Sequence, residues 1–444
     1  MANATTVSNS GAVPQAAINT LANILAACVN STGPTSITCS PLLSNAKSGG
    51  STGTTPTDTA TAAINIAHNP RHAVSTLFAL QGTVVPWLPD LLLPPNDFTL
   101  AINYTDSSLA TPTGIAIDDT GSAWVTNLNF DPDTNGPPVT VISSTGTVTS
   151  YGGLNDVNLG GPNGIAIDTA GNAWFADASG SVFEMSSSGS FVGSDLGFTS
   201  GGFENAPVSV AIDPSGNVWA AAGNVSVVEF SGSGIDLTGG NGFAIPNHAV
   251  ANSVTIDTGG NAFFANDGAI SSADGGVYKF TPTGSRANST PYGPSPAQKN
   301  TLAVATGSGN TIWAVNGLNN VTELSDTGTV LSTGSGGVYS GGGLNNGQAI
   351  AIDGSGDAWI ANAGGVGVTE FSSAGVALSG STGFGSSSGL LSGAKGIAVD
   401  GSGDIWAANT GNDSVVELIG AATPVVTPIV ASLVAPYSNA ASEP

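Results

Sequence analysis

A motif recurs down the chain: a small residue, then Ile/Val-Ala-Ile-Asp, two residues, Gly, two more residues and an aromatic. The copies are Gly114…Asp118…Trp124, Gly164…Asp168…Trp174, Ser209…Asp213…Trp219, Ser253…Asp257…Phe263, Ala349…Asp353…Trp359 and Gly396…Asp400…Trp406. A degenerate copy, Thr301-Leu-Ala-Val-Ala305…Trp313, keeps the aromatic and loses the Asp. The Asp anchors lie 50, 45 and 44 residues apart, then 96 across the degenerate copy, then 47. Seven copies at this period, each made of short alternating strands, predict an all-β fold, a seven-bladed β-propeller.

Each copy divides into four strands. The Ile-Ala-Ile segment, rich in small and β-branched residues, suits the crowded innermost strand. Asp-x-x-Gly is a tight hairpin, where Gly supplies positive φ and Asp caps the turn. The second strand carries the aromatic. The third reads Val-x-Glu-Phe/Leu and places Glu184, Glu229, Glu323, Glu370 and Glu417 at one repeat position, with Lys279 there in the fourth copy. This row is remote from the channel and reads as solvated or turn-bonded side chains. The last copy lacks a fourth strand, whereas Phe98-Thr-Leu-Ala-Ile-Asn-Tyr104 is a strand without a blade. The prediction is that this segment closes the ring as the outer strand of the last blade, removing exposed sheet edges.

The organisation expected is a flexible N-terminus over 1–13, a helical extension and linker over 14–97, the propeller over 98–420 and a Pro/Ala-rich tail over 421–444. Helices are predicted over 14–30, after Asp58 and from about His72, with 44–57 as a linker and the Pro-broken 87–95 irregular.

Composition narrows the function classes. Six Lys/Arg against thirty Asp/Glu give a formal charge of −24, with no basic stripe. Such a chain repels nucleic acid and anionic membrane surfaces, so neither is expected as a partner. No apolar run is long enough to span a membrane. Sparse charge and Ser/Thr/Gly richness point to an extracellular or cell-envelope protein, although no signal peptide stands in this sequence. Cys28 and Cys39 flank the turn-like Asn30-Ser-Thr-Gly-Pro34 and read as a disulfide.

The run Pro162-Asn-Gly164-Ile-Ala-Ile-Asp168-Thr-Ala-Gly171-Asn172-Ala-Trp174-Phe-Ala-Asp177 resembles the NHL repeat and the related repeats of the streptogramin (virginiamycin B) lyase group. The helical extension looks like that of secreted bacterial NHL-repeat proteins. The resemblance implies a propeller. For activity it admits scaffolds, ligand binders, a histidine-rich zinc lyase and an antibiotic lyase with a catalytic histidine.

Candidate chemistry is sparse. His248 is the one propeller histidine and the candidate general acid/base, near Asp177 or Glu204. A lone histidine cannot build a histidine-rich zinc site. Asp131-Pro-Asp133-Thr-Asn135-Gly136 opens like a calcium loop, with oxygen ligands at alternate positions and Gly at the sixth, which makes Ca²⁺ the candidate cofactor; the acid at position 12 is missing, residue 142 being Ile, and a polar turn is the alternative. Asp267 and Asp274, on another long loop, form a second acidic patch. His68-Asn-Pro-Arg-His72 has the spacing of a helical metal pair, but Pro70 should break that helix. Three functional readings follow: a binding module for a glycan, protein or small molecule at the channel mouth, a lyase using His248 with a divalent cation, or a structural element of the envelope.

Overall fold

The protein is described here from a computed structural model, over residues 4–6, 10–82, 85–129, 137–152, 159–203, 205–224, 226–245, 250–268, 275–294 and 298–433. Seven antiparallel sheets, the blades, follow one another along the chain, as predicted. Blade one is Pro112–Ile117, Ala123–Asn127, Val139–Ile142 and Val148–Tyr151, running from the inside outwards. The innermost strands of neighbouring blades contact one another right round the ring, blade seven meeting blade one. They pack so closely that a Cβ on Gly114 would lie 2.2 Å from the Asn163 carbonyl oxygen, and one on Gly396 2.2 Å from that of Thr113. Only glycine fits there.

In six of the seven blades the hairpin between the first two strands is fixed by its Asp, which blade five lacks. Asp118 Oδ1 accepts the backbone N–H groups of Thr120 and Ser122, both at 2.9 Å, while Oδ2 accepts the Trp124 indole N–H at 2.8 Å. The same three bonds form at Asp168, Asp213, Asp353 and Asp400. Where Phe263 replaces Trp, the Asn261 amide donates to both oxygens of Asp257 instead.

Each of the six propeller Trp side chains is buried and meets an aromatic ring from the outer part of its own blade: Tyr104, Tyr151, Phe198, Phe243, Tyr339 or Phe384, with centroids 5.3–5.8 Å apart. With Tyr292 these outer aromatics form a second periodic series, spaced by 47, 47, 45, 49, 47 and 45 residues, that the sequence reading did not single out. Tyr104 belongs to the strand before the first repeat, and that strand does close the ring. Leu100–Tyr104 pairs antiparallel with Ser414–Ile419 of blade seven, and Gly11–Ala12 extends the same sheet.

Four full strands per blade were expected, but in blades four to six the fourth is reduced to isolated bridges such as Val321 to Tyr339 and Val368 to Phe384. In blade five, left-handed Gly336 and Gly337 interrupt the segment, which prevents a continuous ladder.

The extension holds four short helices: α1 (Gln15–Val29), α2 (Ser40–Asn45), α3 (Thr59–His68) and α4 (Val74–Phe78). α2, with Pro41 in its first turn, was not anticipated, and it overlaps the start of the expected linker. Asp58 caps α3 through the Thr61 N–H, and α3 ends at His68, two residues before Pro70. Ile24, Leu42, Leu43, Ala62, Ile66 and Leu77 make a small separate core, tied by the Cys28–Cys39 disulfide. The extension meets blade six and the loop after it: Arg71 donates to the Leu378 carbonyl, and Ser387 Oγ accepts from the Asn96 and Asp97 N–H groups.

The segment after the last blade is docked as far as it is described. Thr423 N–H donates to Asp353 Oδ2 and Val425 N–H to the Asp400 carbonyl, so it crosses the Asp-turn face of blades six and seven. Val430 is then buried in the apolar cluster that holds Ile212 and Ile256 of the inner strands.

Candidate functional site

The ring encloses a channel of about 980 Å³. Its waist carries one half-buried residue per blade at the same repeat position: Ala116, Ala166, Ala211, Thr255, Ala305, Ala351 and Ala398. The alternating inner strand puts these small side chains on one face, which follows from the Ile-Ala-Ile pattern. At the face opposite the Asp turns, the starts of the inner strands bring Thr113, Asn163, Asn252, Gln348 and Lys395 to the rim. Lys395 is exposed and makes no ion pair among the described residues. At the other end Thr427, Ile429 and Val430 of the C-terminal segment join the wall. The result is an apolar cup, narrowed at its base, with a rim of amides and one positive charge. Among the described lining residues, the charged ones are Lys395 and Asp353. Asp353 already accepts four N–H bonds, from Ser355, Asp357, Trp359 and Thr423.

The predicted residues fall elsewhere. Asp177 is buried at the end of the second strand of blade two, and its carboxylate accepts the N–H groups of Gly160, Gly161 and Ser179. Asn127, Asn362 and Asn409 brace the preceding loop from the same repeat position. Asp267 is half-buried just after the second strand of blade four. Neither lines the channel. His248, Asp131, Asp133, Asn135, Glu204 and Asp274 lie outside the described residues.

Of the two expectations for the row of glutamates, solvated or turn-bonded, the first fails, since Glu184, Glu229, Glu323, Glu370 and Glu417 are all buried, and the second holds for Glu184 and Glu229. Two kinds of donor serve them. The turn amides of Asn172 and Asn217 donate to Glu184 and Glu229, at 3.1 and 2.9 Å. The phenols of Tyr339 and Tyr104 donate to Glu323 and Glu417, at 3.3 and 2.7 Å. In blades six and seven the turn amide is replaced by Asp357 and Asp404. This produces two three-carboxylate clusters, Asp353–Asp357–Glu370 and Asp400–Asp404–Glu417, each with ligand atoms within 4.8 Å of one another. Their donor chemistry, hard oxygens only, could hold a metal ion.

The electrostatics follow from this crowding. Burial, reinforced by Asp357 and Asp353, pushes Glu370 up to about 9. Burial, reinforced by Asp404 and Asp400 and opposed by the Tyr104 hydrogen bond, pushes Glu417 up to about 8. Asp404 rises to about 6, by burial first and the Asp400 charge second. Glu229 rises to about 7, by burial and the Asp213 charge, against the Asn217 hydrogen bond.

A second cavity, of about 550 Å³, lies against the first cluster. Asp353, Asp357 and Glu370 form part of its wall, and His68, Arg71 and His72 of the extension also line it. Sequence reasoning had set His68 and His72 apart from the propeller, and nothing local in the sequence links residues so far apart along the chain.

This geometry defines a closed seven-bladed propeller with an apolar channel, lined at one end by Thr427, Ile429 and Val430, and a helical extension against its side. Solved structures share the ring. A streptogramin B lyase aligns over 72% of this chain and 96% of its own, at 14% identity and a TM-score of 0.56. A catalytically inactive virginiamycin B lyase from Staphylococcus aureus, solved with quinupristin, aligns over 72% and 98%, at 17% identity and the same TM-score. PorZ, a bacterial surface component of the type-IX secretion system of Porphyromonas gingivalis, aligns over 76% of this chain and 49% of its own, at 13% identity and a TM-score of 0.51. At these identities the likeness is one of fold. No family model matches the chain, and no curated protein matches its sequence.

Proposed function

We propose that this protein is an extracellular binding module whose channel takes a small ligand with an apolar body and an anionic or amide-bonding head. The observation that carries this reading is the cup itself: an alanine-rich waist, an end lined by Ile429 and Val430, and a polar rim with Lys395, which makes no ion pair among the described residues. Concave, mostly apolar sites with a few placed polar groups are the usual form of a small-molecule pocket. A single exposed lysine at the mouth, in a chain of formal charge −24, selects the orientation of an anionic head.

Binding is favoured over turnover because the charged groups described in the channel are one lysine and one aspartate already saturated with hydrogen bonds. General acid–base chemistry needs a base within hydrogen-bond reach of the ligand. Two facts support the extracellular setting: the disulfide and the sparse charge. A glycan of neutral hydroxyls uses the amide rim alone and leaves the waist unfilled, so it ranks behind an amphiphile. The calcium expected at Asp131, Asp133 and Asn135 is no part of this reading.

Titration with anilinonaphthalene sulfonate, an aromatic anion of about the right shape, tests it. The reading expects saturable binding that is lost in Ala351→Trp, which fills the waist, and weakened in Lys395→Glu. Binding that is unaltered in both variants would place the dye elsewhere and end the proposal.

A further inference from the structure

We propose that the cavity between the helical extension and blade six binds a divalent cation, held by the carboxylates of Glu370 and Asp357 with Asp353 behind them. A comparison between the blades of this chain carries the assignment.

Four of the five buried glutamates of the repeat have a hydrogen-bond donor, either a turn asparagine or an outer-strand tyrosine. Blade six has lost both. Asp357 stands where blades two and three have Asn172 and Asn217, and Phe384 stands where blades five and seven have Tyr339 and Tyr104. The carboxylate of Glu370 therefore receives no hydrogen bond among the described residues, although the residue is only 8% exposed. It faces two further carboxylates, with ligand atoms inside 4.8 Å. Asp357 accepts one N–H, from Ser373, through Oδ1. Buried carboxylates without donors carry a large desolvation cost unless a counter-charge is present.

Blade seven supplies the contrast. Its equivalent triad is closed by protein groups, since Tyr104 donates to Glu417 and the Gly420 N–H to Asp404. Among the described residues no such group reaches Glu370. Instead it borders a cavity of about 550 Å³, with room for an ion and its waters. The oxygen-only donor set selects a hard cation, and the roomy, irregular site suits calcium better than magnesium, which demands near-ideal octahedral geometry. His68, His72 and Arg71 on the opposite wall come from the extension, and Ala421–Pro424 from the C-terminal segment, so an ion here would sit where three parts of the chain meet.

Calorimetric titration of the chelator-treated full chain with Ca²⁺, and separately with Mg²⁺ and Mn²⁺, tests the assignment, with thermal unfolding as the second readout. One equivalent of Ca²⁺ should bind and raise the melting temperature. Glu370→Gln should weaken binding by at least about tenfold. Asp357→Asn, which restores the amide of blades two and three and is therefore expected to fold, should abolish binding and raise the melting temperature of the chelated protein. Two results would each overturn the proposal: no heat and no thermal shift with any of the three ions, meaning that Glu370 simply holds a proton; or undiminished affinity in both variants, meaning that the ion binds elsewhere on an acidic surface.

Discussion

The phenol of Tyr104 donates to Glu417 Oε2 at 2.7 Å, across 313 residues of sequence. The bond joins the strand before the first repeat to the last strand of the last blade, and both groups are buried. Tyr104→Phe leaves the carboxylate of Glu417 beside Asp404 and Asp400 without that donor. A loss of about 1–3 kcal/mol is expected, as for a buried polar group deprived of its partner. Adding Asp404→Asn should recover most of it, because an amide at that turn position serves Glu184 and Glu229. Thermal melts of the single and double variants check both outcomes. A double variant no more stable than Tyr104→Phe would show that the two donors are not interchangeable.

The hairpin anchor makes a second prediction. Trp124→Phe removes the donor to Asp118 Oδ2 and should cost about 1–3 kcal/mol. Blade four already contains that aromatic exchange, with Asn261 bonded to both oxygens of Asp257. Ser122→Asn, at the position equivalent to Asn261, should therefore rescue Trp124→Phe by roughly 1 kcal/mol while changing the wild type little. A melting-temperature cycle over the four proteins measures the coupling.

How much of this could be read from the sequence depends on the range of the signal. The Asp-x-x-Gly-x-x-Trp spacing announces seven blades because every bond it makes is local, within six residues of Asp118. The closing strand was legible too, from a blade short of a strand at one end and a strand without a blade at the other. The series from Tyr104 to Phe384 was equally periodic in the sequence and would have marked Tyr104 as the seventh member. The glutamates read as solvated or turn-bonded; the second holds for Glu184 and Glu229, and the first failed because distance from the channel is not exposure to water. In a propeller the third strand is still covered by its neighbours. The exchange of Asn for Asp at residues 357 and 404 was the available sign that the turn and the glutamate communicate. The meeting of His68 and His72 with Glu370 depends on how the extension docks, and no local pattern encodes that.

Stability should fall as pH rises through the neutral range. Glu229 titrates near 7 when folded, from an ordinary value of 4.5. Below about 4.5 both folded and unfolded chains hold its proton. Between 4.5 and 7 only the folded chain does, so the stability it contributes is lost across that window and the loss is complete above about 7. Glu417, at about 8, extends the fall. The chelated protein should melt several degrees higher at pH 5 than at pH 8, and Glu229→Gln should flatten the part of the slope below pH 7. A melting temperature that rises from pH 5 to pH 8 would contradict the buried state of these groups.

A fourth prediction concerns the chain after Gly420. Ending the protein there removes the Thr423 bond to Asp353 and the buried side chains of Val425 and Val430. Two valines are worth roughly 3 kcal/mol or more of burial. The shortened protein should melt lower yet keep its β-sheet circular dichroism, whereas Val430→Ala alone should cost about 1–3 kcal/mol. Dye binding in the truncated form should become weaker and less selective, because Thr427, Ile429 and Val430 no longer line the channel.

The closing strand also imposes a length check on synthesis. Residues 100–104 emerge early and have no partner in their sheet beyond Gly11–Ala12 until residues 414–419 appear. In a chain cut short anywhere in between, the edge of Leu100–Tyr104 that would pair with Ser414–Ile419 stays bare. Unpaired edges recruit other chains, so incomplete products should aggregate or be degraded while the complete one is shielded. The ring thus distinguishes finished from unfinished copies of itself, with no sequence reserved for the purpose.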